Sequence, residues 1–168
     1  MLRNRIERLR DSLILLGASD IAVRQAGAIP YSVVQGQLVF LLITSRRSGR
    51  WIFPKGELSE GMTPWQLAQH EAFEEAGVKG TIEQSPIGSY RAMKTLAIRR
   101  QPIVVDLYPL RVEEQLEEWP EKAQRHRHWA ILPEAKRLLS DSRLFEAAAR
   151  LSRTLTPQAQ PTTALMKR

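Results

Sequence analysis

The chain has 168 residues, 43% of them apolar and 26% charged, with a formal net charge of +7 and no cysteine. That length holds one hydrophobic core and leaves no room for a second large domain, while the charge favours anionic partners: phosphorylated small molecules, nucleic acid or an acidic membrane surface. The absence of cysteine excludes a disulfide framework, a thiolate metal site and a thiol nucleophile.

Residues 1–25 begin MLRNRIERLRDSLILLG. Charged and apolar residues alternate there at helical spacing, which predicts an amphipathic helix instead of a signal peptide. The apolar run Leu13 to Ala18 is far short of the roughly 20 residues that span a bilayer, so no transmembrane segment is expected. From Ala26 the pattern changes to β-branched and aromatic runs on either side of Gln35-Gly36, a predicted β-hairpin. A basic loop, SRRSGR, leads to a short strand at Trp51 to Phe53 and a Pro/Gly stop.

A helix is predicted to start after Thr63, with Thr63 as N-cap, Pro64 at its first position, Gln66 completing a capping box and Gly77 ending it. Ala68, Ala72 and Ala76 form a stripe of small side chains suited to close packing on a sheet. TIEQSPIGSYRAM and QPIVVDLYPLRV read as strands, the acidic EEQLEEWPEK as a connection, and His128 to Leu132 as a final strand. Pro133 opens further helix, continued by SRLFEAAARLSRTL, and residues 154–168 read as a flexible tail.

Glu71, Glu74 and Glu75 fall within one turn at the C-terminal end of the first of these helices. Like charges at that spacing repel, and carboxylates near a helix C-terminus oppose its dipole, so the cluster costs stability unless something offsets it. A hard divalent cation such as Mg2+ would, with the backbone carbonyl of Gly56 as a further oxygen donor. Arg46, Arg47, Arg50 and Lys55 on one side and Arg91, Lys94, Arg99 and Arg100 on the other form a basic ring suited to phosphate. Carboxylates for a cation within arginines for phosphate describe metal-assisted phosphoanhydride hydrolysis. The alternative at this level is a solvated acidic helix face.

The spacing from Gly56 to HEAFEEAGV resembles the signature of the Nudix (MutT-like) hydrolases, G-x5-E-x7-R-E-U-x-E-E-x-G-U with U apolar. Gly56 is the first glycine, Glu71, Glu74 and Glu75 the helix glutamates, Ala72 and Val78 the apolar positions and Gly77 the last glycine. Two positions depart from it: Met62 replaces the first glutamate and His70 the arginine. RWIFPKG, LEEWPEK and RHRHW resemble more narrowly the diphosphoinositol polyphosphate and diadenosine polyphosphate hydrolase branch.

The resemblance implies an α/β fold, a Nudix-type α/β/α sandwich with a mixed β-sheet, over residues 26–153. It implies Mg2+, with Mn2+ as the alternative, held by Gly56, Glu71, Glu74 and Glu75. Glu74 would be the general base and Glu71 the second catalytic carboxylate, with Arg125, His126 and Arg127 near the substrate's phosphates. The expected partner is a polyphosphorylated small molecule, in preference to RNA, in a cytoplasmic setting. Competing readings are a Nudix-fold binding or regulatory module with little catalysis, a hydrolase of another nucleoside diphosphate derivative or an RNA 5' end, and a basic nucleic-acid-binding protein.

Overall fold

The computed structural model describes residues 22–156. The expected amphipathic helix up to residue 21, and the tail from residue 157, lie outside the described residues. The elements are β1 (Val23–Val34), β2 (Gln37–Thr44), β3 (Trp51–Ile52), β4 (Lys55–Glu57), α1 (Pro64–Ala76), β5 (Val78–Ile82), β6 (Gly88–Leu96), β7 (Arg99–Gln115), β8 (Arg127–Ile131), α2 (Leu132–Leu138) and α3 (Ser142–Leu155). β1 begins three residues ahead of the expected start at Ala26.

The hairpin forms where expected. Gln35 and Gly36 both take positive φ, 51° and 78°, and join β1 to β2 in a tight turn whose twist suits paired strands. β1 runs parallel to β7 along one edge and pairs antiparallel with both β2 and β4 along the other. That one parallel pairing makes the sheet mixed. β7 in turn carries β5 and β6 in succession, and β8 closes against β2. TIEQSPIGSYRAM divides into β5, a connection and β6, because the chain turns at Pro86, which has no N–H to donate to a ladder.

Alternation along the strands sends side chains to two cores, one on each face. Ile29, Phe40, Leu42, Val105 and Leu107 pack against Ala135 of α2 and Leu144, Ala148 and Leu151 of α3. Ala26, Ala28, Leu41 and Ile43 meet Leu67, Ala68, Ala72 and Ala76 of α1 on the other. The result is an α/β/α sandwich. All three alanines of the predicted stripe are fully buried, and they face the small residues of β1, so α1 lies close to the sheet.

Both ends of α1 are fixed by local chemistry. Thr63 Oγ1 accepts from Gln66 N at 3.4 Å, and Gln66 Oε1 accepts from Thr63 N at 2.9 Å, which completes the capping box. Gly77 takes φ 66°, and its N–H donates to the carbonyls of Ala72 and Phe73. This fixed rod carries the three glutamates to the place where β4 and β2 part along the edge of β1.

Candidate active site

That parting opens a cleft of about 430 Å3. Gln25 of β1, Lys55, Gly56 and Glu57 of β4, Glu71, Glu74 and Glu75 of α1, Arg46 and Arg47 of the β2–β3 loop, and Lys94 of β6 all line it. Two further residues reach it from the segment between β7 and β8, Glu121 and Arg125.

Gly56 packs its bare Cα against the carboxylate of Glu71. A Cβ at position 56 would overlap that carboxylate and stand 2.9 Å from Glu71 Cγ, so only glycine allows the approach. Burial, and then the neighbouring charge of Glu74, pushes Glu71 above the usual carboxylate range. Glu74 is half-exposed, with His70 Nε2 3.3 Å from its Oε1. His70 therefore keeps an i,i+4 contact that the signature's arginine would make as a constant cation.

Glu75 is buried, and both of its oxygens have partners. Oε1 accepts from Arg125 Nη2, and Oε2 accepts from the backbone N–H of Lys55 at 3.0 Å. Burial raises its pKa to about 7, against the downward pull of Arg125 and that backbone donor. Burial also lowers the pKa of Lys55, whose Nζ donates to Gln25 Oε1 at 3.1 Å.

The shift of Glu75 predicts a pH dependence. A carboxyl whose folded pKa lies above its unfolded one stabilises the fold fully below the unfolded value, and that contribution is lost as pH rises through the folded value. The metal-free protein should therefore lose stability between about pH 4.5 and about 7. The loss should be up to about 3 kcal/mol, and Glu75→Gln should flatten the curve. Urea unfolding in chelator across that range measures it, and an unchanged slope in Glu75→Gln would refute the assignment.

The basic residues divide. Arg46 Nη1 contacts Glu121 Oε1 at 3.4 Å and Gln124 Oε1 at 3.2 Å, and Arg47 Nη1 donates to the carbonyl of Thr95 at 2.9 Å; both line the cleft. Arg50 and Arg91 do not line it, and the carbonyl of Arg91 is held by Arg143 Nη1. His126 is exposed, fixed to Thr44 through its backbone, and outside the cleft lining. Arg127 turns behind α1: Nη1 donates to Ala76 O at 3.1 Å, Nη2 to Leu116 O at 2.8 Å, and the guanidinium stacks 3.9 Å from the Trp119 ring. It caps the C-terminal end of the glutamate helix instead of facing the opening.

Met62 is 44% exposed, belongs to neither apolar cluster and does not line the cleft. Glu57, at the end of β4, does line it, and Glu60 of the following loop does not. Met62→Glu should accordingly change stability by less than about 0.5 kcal/mol and leave activity level or higher, as thermal melting and turnover will show. A large loss of both would instead mean that Met62 staples the helix entry. Glu57, Lys94 and Glu121 are cleft residues that the signature does not mark. For Glu121 the available signal was the acidic LEEWPEK segment ahead of RHRHW.

Five carboxylates thus face one opening. As placed, no group of three acidic or histidine side chains among the described residues encloses a cation, and Arg125 hydrogen-bonds both Glu75 and Glu121. Glu71 stands against Gly56, and Glu74, on the same helix and lining the same cleft, has only His70 beside it among the described residues; their mutual repulsion and the raised pKa of Glu71 fit an oxygen-binding cation in the cleft.

The family model for the NUDIX domain matches residues 23–151. The chain is 34% identical to Nudix hydrolase 21, chloroplastic, of Arabidopsis thaliana over 129 residues, covering 72% of this chain and 62% of that protein. It is 33% identical over 103 residues to diphosphoinositol polyphosphate phosphohydrolase 3-beta of Bos taurus, covering 60% of this chain and 59% of that protein. The match spans just under two thirds of the length of the first curated relatives. Among solved structures, the fold matches the C. elegans Ap4A hydrolase with a TM-score of 0.60 at 21% identity, over 81% of this chain and 100% of that one. With the family model covering nearly all of the described fold and the signature glutamates lining its cleft, the chain belongs to the Nudix family.

Proposed function

We propose that the protein is a Mg2+-dependent pyrophosphohydrolase whose substrate is a densely charged, non-nucleotide polyphosphate of the diphosphoinositol polyphosphate type. The composition of the cleft carries this reading: Glu57, Glu71, Glu74, Glu75 and Glu121 lie with Arg46, Arg47, Lys55 and Lys94, and no aromatic side chain among the described residues lines it. The cations suit several phosphate groups at once.

A nucleobase, by contrast, is held chiefly by stacking. All four tryptophans are engaged elsewhere: Trp51 packs on the α2–α3 core, Trp65 and Trp129 on the α1 core, and Trp119 on Arg127. This favours an inositol-type substrate over a dinucleoside polyphosphate, and the name of the bovine relative supports the same choice. The cations of the cleft also leave an RNA 5' end as a competing substrate, without a stacking platform for its first base.

In this reading Gly56, through its carbonyl, together with Glu71, Glu74 and Glu75, would hold the Mg2+ ions. The bound ions supply charge neutralisation of the pyrophosphate and lower the pKa of water. The chain's own residues do the rest. Arg46, Arg47, Lys55 and Lys94 orient the phosphates, and Glu74, half-exposed beside His70, takes the proton from the attacking water.

The test is hydrolysis with and without Mg2+ across diphosphoinositol polyphosphates, dinucleoside polyphosphates, nucleotide sugars and triphosphorylated RNA. Metal-dependent turnover highest on the inositol compounds supports the proposal. Turnover highest on a dinucleoside polyphosphate refutes the substrate choice, and silence on the whole panel with Mg2+ binding intact moves the protein to the regulatory Nudix-fold reading.

A further inference from the structure

Four polar or charged residues are buried among the described residues, and Arg125 is the one cation of the four. Its side chain is 5% exposed. Each of its three side-chain nitrogens donates to the protein: Nε to Glu121 Oε2 at 2.5 Å, Nη1 to Thr44 O at 3.0 Å, and Nη2 to Glu75 Oε1. The backbone beside it is anchored as well, since Thr44 N donates to His126 O at 3.0 Å and His126 N donates to Thr44 Oγ1 at 2.9 Å.

The two carboxylates it joins come from different parts of the chain, one from the signature helix and one from the segment before β8. Each is held from a second direction, Glu75 by Lys55 N and Glu121 by Arg46. A buried ion pair of this kind contributes little net stability, because desolvation offsets most of the attraction. What a forked, planar guanidinium adds is orientation.

We propose that Arg125 is a positioning residue, an internal counter-ion that fixes Glu75 and Glu121 within the cleft and sets how strongly the cleft binds divalent cations. It does not contact substrate phosphate. The inference rests on the metal-dependent hydrolase reading above. Arg125→Lys keeps the charge and loses the fork, whereas Arg125→Gln loses the charge.

The experiment titrates metal-free wild type and both variants with Mn2+ alone, following free Mn2+ by electron paramagnetic resonance, and measures kcat and KM on the best substrate of the panel. Circular dichroism checks the fold of each variant. Arg125→Gln should bind Mn2+ about tenfold more tightly, because a positive charge has left the site, and Arg125→Lys should stay within about threefold of wild type. Both should lose about 100-fold in kcat with KM within about threefold, the signature of misplaced groups.

If Arg125→Gln does not fold, Arg125→Lys alone decides through its split between kcat and KM. A raised KM with kcat preserved would make Arg125 a phosphate contact and overturn the inference. An unchanged kcat in Arg125→Lys would reduce it to a structural ion pair. Wild type that neither binds Mn2+ nor turns over overturns the hydrolase reading itself, and that failure is distinct from active wild type with unaffected variants.

Discussion

Glu74→Gln should abolish metal-dependent hydrolysis, by a factor of about 10^2 to 10^4, while the melting temperature stays level or rises slightly. The two effects have one origin. Glu74 lies in the last turn of α1, where a carboxylate opposes the helix dipole, and Glu71 beside it is pushed up in pKa by burial and then by the charge of Glu74. Glutamine keeps the size, removes the repulsion and cannot accept a proton from water at neutral pH. Because Glu74 is half-exposed, the gain in stability should be no more than about 0.5 kcal/mol. Turnover assayed with Mg2+, alongside thermal melting in chelator, reads both effects. Normal turnover in a folded variant would remove Glu74 from the mechanism and leave Glu71 as the candidate base.

Gly56→Ala should be nearly as damaging, although alanine adds one methyl group. Gly56 sits in extended pairing with Ala26, so its backbone conformation is open to any residue; the obstacle is the carboxylate of Glu71. The added Cβ must push that carboxylate out of the cleft or push β4 away from β1. The first outcome costs on the order of 100-fold in activity, and the second costs about 1–3 kcal/mol of stability. Gly88→Ala is the control. A Cβ there meets Ala147 Cβ at 3.6 Å, an ordinary contact, so stability and turnover should be close to wild type. Equal tolerance at both positions would show that the close approach of Gly56 to Glu71 is dispensable.

Some of this architecture is legible in short stretches of chain. The α1 boundaries follow from Thr63, Pro64, Gln66 and Gly77, and the first hairpin from Gln35-Gly36, because capping and turn chemistry act over a few residues. The glutamate spacing likewise places Glu71, Glu74 and Glu75 together before any tertiary contact is known. The basic residues are different. Arg46, Arg47 and Lys55 line the cleft, but RHRHW gives no local hint that Arg125 turns inward to Glu75, that Arg127 turns behind the helix to Ala76, and that His126 between them stays exposed. In an extended strand alternate side chains share a face, and which face meets what depends on pairing with β2. Glu57 and Glu121 escape the signature for the same reason, since long-range pairing brings them to the opening.

The capped end of α1 has a consequence for how this site comes into being. Gly77 O accepts from Leu116 N at 2.8 Å, Glu74 O from Glu121 N at 3.1 Å, and Ala76 O from Arg127. A ribosome that has just completed Val78 has made the whole signature and none of these partners. Until synthesis passes Arg127, the nascent helix carries three crowded carboxylates without Arg125 as counter-charge or the later segment as a lid on its carbonyls. Such distant contacts form slowly relative to local ones, and the β1–β7 and β2–β8 pairings that complete the sheet span still longer stretches of chain, so neither the sheet nor the cleft is complete until β8 is made. A fragment cut anywhere between Val78 and Leu116 would still match every position that this chain shares with the signature, and yet have no working site.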